Sequence, residues 1–514
     1  MSKIEHIILV IFENRSFDHL LGWMSHPRHG GNSAIEGLVG AVDPATDELT
    51  EARYRNPAIG QTFRPFFAAK DEFGVDLPHG REEVTRQMAF TNVTNTFSMK
   101  GFAASYYHVN QGLAGPFAAK PDCMRMLSPA AAPVTAFLAQ NFKVCDHWFT
   151  PIPAGTHPNR VMALAGETQI DDNGVLIPDH DLLFDWAQRN DIPWRVYSDG
   201  FSFMMTMRSS TVLAQRSHYR DFDLFARDYQ FDAEFPSITL IEPSYLDDPF
   251  ASRPNDNHPP LAVDAGEAFL LQIYKTFFGT PLAQERFKKT ALVIYYDEHG
   301  GLFDHVPPLT VRTPGRDPDR PSWPAFTTTG PRVPAIIVSP LVDPGVFKGN
   351  LDHTSVLRFL ADCFTPGKFY SSAVDARHRT ASAQLRSVAD AIDRSTPRTL
   401  PVPPDFGSFA TVTFPAARPV VTEGQTVFLN ARVAAHTSHH DELMDSQPWS
   451  FFAFPGQSES VVRATRATPE AGADVTFRRS ARLATILKPA HRRREARKTV
   501  RRPARRRRAK GRSR

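Results

Sequence analysis

Five short runs rich in β-branched and aromatic residues constrain this fold more than any other feature: Ile7–Phe12, Pro193–Tyr197, Ser237–Ile241, Ala291–Tyr296 and Val333–Val338. Each is short and uniformly apolar, which reads as a strand buried on both faces. Between them lie segments whose apolar residues recur every three or four positions: Val134–Gln140, Leu182–Arg189, Ala262–Phe278 and Ser355–Cys363. This alternation predicts an α/β fold, a mostly parallel sheet with helices on both faces. The pattern divides the chain into a first domain over 1–365, a smaller mixed region over 366–445, and a C-terminal extension. That last part, 446–514, is a low-complexity, arginine-rich tail expected to be disordered.

Charge follows the same division. The net charge is +4, yet residues 491–514 carry 14 Lys/Arg against the single acid Glu495, so the remainder is net acidic. A basic run of this kind can touch an anionic membrane surface or a nucleic acid, or simply be solvated. No stretch approaches the ~20 apolar residues of a membrane span. The six-residue apolar run Ile7–Phe12 is followed by no small-residue cleavage site, so it reads as a strand and no signal peptide is evident. Cys123, Cys145 and Cys363 are scattered and lack CxxC spacing. A reducing, cytoplasmic location, possible at a membrane periphery, is the expectation.

Polar clusters follow the apolar segments, where open parallel sheets build their sites. Glu13-Asn14-Arg15-Ser16 follows the first run and Asp297-Glu298-His299-Gly300-Gly301 the fourth. Neighbouring side chains on a strand point to opposite faces, so these acids converge only if the backbone leaves the pleat, as Gly300 and Gly301 permit. Three carboxylates and an amide suit a hard divalent cation such as Mg²⁺, Ca²⁺ or Mn²⁺ rather than Zn²⁺. Helix-start charges explain the same residues without a metal.

A third cluster, Pro153-Ala154-Gly155-Thr156-His157-Pro158-Asn159-Arg160, follows Val144–Phe149. Thr156 at a glycine turn opening a helix is placed either as a nucleophile near an anion-stabilising helix start or as an ordinary cap. His79, His258, His305 and His353 lie in polar, turn-like contexts, where a histidine exchanges protons near neutral pH.

These motifs, in this order, resemble the signature of the phosphoesterase family, which contains the non-specific (phosphatidylcholine-preferring) phospholipases C and related bacterial acid phosphatases. The likeness runs from Ile4 through Glu13–His19, Gly155–Arg160, Asn255–Pro260, Tyr296–Gly301 with Phe303–Pro308, and Asp352–Ser355, and Leu21-Gly22-Trp23-Met24 is closest to the phospholipase C branch. The resemblance implies an alkaline-phosphatase-like α/β fold with one active-site divalent metal held by Glu13, Asn14, Asp297 and Glu298. It implies Thr156 as the nucleophile, forming a phosphothreonine, with His258, His353 and His79 at the phosphoryl group. The substrate would be a phosphate ester, a phospholipid diester in the leading reading. Alternatives are an acid phosphatase acting on monoesters and an inactive polyanion-binding protein. Relatives commonly have Asp-His-Pro where this chain has Asn257-His258-Pro259, which leaves the hydrogen bonding of His258 open.

Overall fold

The computed structural model describes residues 4–68, 70–91, 96–111, 120–173, 177, 180–206, 218–311, 327–380, 384–409 and 424–431. The basic tail therefore lies outside the described residues. Eight strands form the central sheet: β1 (His6–Phe12), β2 (Lys143–Cys145), β3 (Trp194–Ser198), β4 (Tyr219–Asp221), β5 (Ile238–Glu242), β6 (Thr290–Tyr296), β7 (Ala335–Val338) and β8 (Gly345–Phe347). Their order across the sheet is β4-β3-β5-β1-β6-β7-β2-β8.

The central strands are apolar on both faces because both faces are covered. Ile7 to Phe12 and every residue of β6 are buried, and burying each large apolar side chain contributes about 1.5–3 kcal/mol. The expected α/β architecture is present, and all five anticipated strands and four helices form within a few residues of their expected limits. One strand runs against the rest: β7 is antiparallel to both β6 and β2. A parallel pairing needs a crossover connection, usually a helix, and among the described residues none lies between β6 and β7. Hydrophobic pattern carries no such directional information. The short edge strands β4 and β8 also escape it, being three residues each.

The compact unit extends from Met1 to Phe428. Within it, the helix Ser372–Thr380 packs beside the helix Thr156–Ala165: a Cβ on Gly166, at φ +82°, would lie 2.4 Å from the Val374 side chain. Arg377 pairs with buried Asp352 at 2.7 Å, and Lys143 reaches Asp393 at 2.6 Å. The described residues just beyond 365 are therefore anchored on the sheet by ion pairs as well as packing.

Candidate active site

Parallel pairing brings the ends of β1 and β6 together. Phe12 is in register with Tyr296, so Glu13 and Asp297 leave the sheet side by side. The backbone then departs from the pleat, as convergence requires. Asn14 adopts φ +61° and Gly300 φ +64°, and a Cβ on Gly300 would meet the Asn14 carbonyl oxygen at 2.2 Å. Only glycine admits this approach of two backbones. The Asn14 and Glu298 amides both donate to Asp297 Oδ1, at 3.1 and 2.6 Å, locking the two turns together.

Thr156 is the first helical residue of Thr156–Ala165, with Gly155 in the cap position. The capping explanation of Thr156 therefore does not describe this helix. Its hydroxyl instead donates to Asn14 Oδ1 at 3.4 Å, linking the helix to the first motif. One turn later Arg160, 2% exposed, bridges Glu13 Oε1 at 3.1 Å and Asp297 Oδ2 at 3.0 Å. It also donates to the Tyr245 hydroxyl at 2.9 Å and lies over the Phe203 and Tyr245 rings at 5.2 and 4.8 Å. Sequence reasoning assigned Arg160 no role. Its signals were its place at the end of the Gly155–Arg160 motif and its spacing four residues after Thr156, which puts both on neighbouring turns.

Three carboxylates are buried here with few cations. Burial pushes Glu13 well above the usual carboxylate range, opposed by Arg160. Burial likewise lifts Asp297 to about 6 despite Arg160. Burial acts on Glu298 too, but His79 and His299 hold it below its ordinary value. Among the described residues Glu13 Oε2 and Glu298 Oε1 have no hydrogen-bond partner, and burying such atoms is costly. The unspent carboxylate oxygens and Asn14 Oδ1 are hard donors of the type a divalent cation takes.

A tighter donor cluster lies elsewhere. Asp18, Asp304 and His305 bring ligand-type atoms within 4.8 Å of one another, a grouping that Glu13, Asp297 and Glu298 do not reach. Fully buried Arg332 pairs with Asp18 at 3.1 Å and Asp304 at 2.9 Å, while His305 Nδ1 lies 2.6 Å from Asp18. With Arg332 already supplying the positive charge, this cluster is an internal ion-pair network joining the helix Phe17–Leu21 to the loop after β6.

The histidines separate into two kinds. His79 and His258 stand edge to face, ring centroids 5.6 Å apart. Each spends Nδ1–H on a backbone carbonyl, of Leu77 at 2.6 Å and of Pro259 at 2.5 Å, which fixes the tautomer. Burial alone would lower His258, yet Asp76, Asp247 and Asp256 lift it to about 9. Asn257 does not disturb this ring: its Nδ2 donates to the Tyr296 hydroxyl at 2.8 Å, and Arg15 holds the Asn257 and Leu261 carbonyls at 2.7 and 2.5 Å.

His353 departs from the expectation that it contacts the phosphoryl group. The Trp148 indole donates to Nδ1 at 3.0 Å, so Nε2 bears the proton and donates to the Asp297 carbonyl at 2.7 Å. Both nitrogens are spent, and burial lowers the ring to about 4, keeping it neutral. In this geometry His353 buttresses the Asp297 backbone.

The sequence profile described as "Phosphoesterase family" matches residues 4–365, the span that holds all these groups. The chain belongs to the phosphoesterase family. This phosphoesterase is 32% identical over 356 residues to non-specific phospholipase C6 of Arabidopsis thaliana, covering 67% of this chain and 63% of the relative. It is 28% identical to non-specific phospholipase C1 of the same plant, covering 77% and 74% of the two chains. With phospholipase C A of Mycobacterium tuberculosis it shares 28% identity, over 70% and 72%. The chain thus spans less than two thirds of the first of these relatives. Among solved structures, a Vibrio parahaemolyticus protein in the alkaline phosphatase superfamily overlaps partially, with TM-score 0.28, 9% identity, and 46% and 61% coverage of the two chains.

Proposed function

We propose that this phosphoesterase is a metal-dependent hydrolase of phosphate esters, of phospholipase C type, acting through a phosphothreonine at Thr156. The observation that carries the reading is the Thr156 hydroxyl held against Asn14, beside buried Glu13 and Glu298 oxygens that nothing in the described protein satisfies. Glu13, Asn14, Asp297 and Glu298 would hold the divalent cation, which supplies Lewis-acid stabilisation of charge on the phosphoryl oxygens. Asn14 orients the Thr156 oxygen. Arg160 keeps Glu13 and Asp297 aligned with the helix that carries it. In-line attack by the Thr156 oxygen on phosphorus, its proton passing to solvent, would form the Thr–O–P bond as the P–O bond to the leaving alcohol breaks, leaving the rest of the phosphate ester on Thr156. Water would then cleave the Thr–O–P bond and return a proton to the threonine oxygen. His258, protonated at neutral pH, is suited to give the leaving alkoxide its proton, with His79 beside it.

Turnover of a chromogenic phosphocholine diester against the matching monoester, with and without chelator, tests the reading. Faster, chelator-sensitive turnover of the diester is expected. Preference for the monoester would favour the phosphatase alternative, which one observation supports: Thr156 is only 3% exposed, a narrow approach for a bulky lipid. Equal silence towards both would favour the inactive, polyanion-binding alternative. Any contact of the basic tail with anionic lipid or nucleic acid is part of the proposal only, and no helix among the described residues is long and apolar enough to cross a membrane.

The raised pKa of His258 carries a pH signature. Its protonated form is favoured by folding, so this stabilisation is complete below the ordinary value of 6.5 and lost as pH rises through about 9. The amount is on the order of 3 kcal/mol. Turnover is expected to fall over the same alkaline limb. In His258→Gln both pH dependences should flatten, as read by thermal melts and kcat across pH 6–10; an unchanged alkaline limb would remove His258 as the acid.

A further inference from the structure

Two adjacent residues outside every motif, Asp172 and Asn173, reach the start of the helix that opens with Thr156 and the start of the helix that follows His79. The helix Thr156–Ala165 has Gly155 at its cap position, and the helix Arg81–Met88, which begins just after His79, has Gly80. Neither glycine has a side chain to accept a first-turn amide. Asn173 Oδ1 accepts from the His157 amide at 2.9 Å, and Asp172 Oδ1 from the Arg81 amide at 3.3 Å. The pair is itself braced: the Asn173 amide donates to Asp172 Oδ1 at 2.9 Å, and Asp171 faces Arg81 at 3.6 Å.

Both glycines act as seats for these side chains. A Cβ on Gly155 would lie 3.0 Å from Asn173 Oδ1, and one on Gly80 3.4 Å from Asp172 Oδ1. A serine or aspartate at position 155 would satisfy the His157 amide locally, and one at position 80 would cap a later amide of its own first turn. Supplying the caps from one distant loop does something a local cap cannot: it ties the start of one helix to the start of the other. Thr156 is the first residue of one, and His79 immediately precedes the cap of the other.

We propose that Asp172 and Asn173 are positioning residues, a clamp that fixes Thr156 relative to His79. The proposal rests on Thr156 being the nucleophile. It also accounts for an amide at 173. An aspartate there would cap equally well but would place a negative charge beside the point where a phosphate ester must approach.

Asn173→Ala and Asn173→Asp, with Thr156→Ala alongside, test this on the full chain by steady-state kinetics and amide hydrogen exchange. Asn173→Ala should lower kcat about tenfold with KM within twofold, since a misplaced reacting group loses rate more than binding. The amides of Thr156, His157, Asn159 and Arg160 should exchange faster. Asn173→Asp should keep the slow exchange yet raise KM for an anionic ester about tenfold, from like-charge repulsion in a partly buried site. Exchange in Asn173→Ala identical to the parent overturns the clamp. Faster exchange with unchanged kcat overturns its part in the reaction. Thr156→Ala reports separately on the nucleophile: turnover persisting there defeats that assignment, while the exchange measurement still judges the clamp.

Discussion

Thr156→Ala should lose at least about 10³-fold in kcat, because deleting a nucleophile leaves only what binding and electrostatics supply. The fold should barely notice. Thr156 makes no capping bond, and its hydroxyl gives up one long contact, 3.4 Å to Asn14 Oδ1, so the stability cost is expected to stay near 1 kcal/mol. Thr156→Ser keeps an oxygen on the first helical turn and should retain part of the activity, reduced because the β-methyl that restricts the rotamer is gone. Quenched turnover followed by peptide mass mapping checks the covalent step. The phosphorus-bearing remnant of the substrate on Thr156 in the parent, phosphocholine from the diester or phosphate from the monoester, and its absence in Thr156→Ala, is the expected pair of results. Near-normal turnover by the alanine variant would end the assignment.

Glu298→Gln should be almost as damaging, for a different reason. The substitution keeps shape but removes one of the two carboxylates of the candidate site, Glu13 and Glu298, that carry an unsatisfied buried oxygen. Loss of a charged ligand costs several kcal/mol of transition-state stabilisation, or about 10²- to 10⁴-fold in rate. Chelation of the parent enzyme should reproduce the loss, and added divalent cation should restore the parent but not the variant at the same concentration. Equilibrium binding of Mg²⁺, Ca²⁺ and Mn²⁺ by calorimetry checks the ligand set without relying on turnover. Glu298→Gln should also relieve the demand for a cation, leaving its stability less dependent on added metal than that of the parent. A fully active, demonstrably metal-free enzyme would remove the whole assignment.

The placement of the motif turns is legible in the sequence. Glu13, Asn14, Asp297 and Glu298 follow apolar runs that read as buried strands, and parallel pairing puts the ends of such strands at one end of the sheet. The glycines at 300 and 301 announced the turn, and both take positive φ, as the convergence of two motifs demands. Thr156 sits where a Gly-Thr pair before proline predicts a helix to open. Family likeness supplied the roles, because residue type and spacing alone left capping and catalysis open.

What the amino-acid order determined is therefore the local half of the protein. Strand and helix follow from hydrophobic period, and the motif-bearing turns follow from glycine and polar residues at strand ends, properties of a few consecutive side chains. The tertiary structure decided everything that depends on partners far away in the chain. Arg160 became a bridge between Glu13 and Asp297 because a helix laid it across two strand ends. His353 became a buttress because Trp148, 205 residues distant, occupies its other nitrogen. β7 pairs antiparallel to β6, a direction set by the pairing and not by hydrophobic pattern, and Asp172 reached a helix start 91 residues earlier. Periodicity encodes which face a side chain presents; which group meets it there is set only when the chain closes on itself.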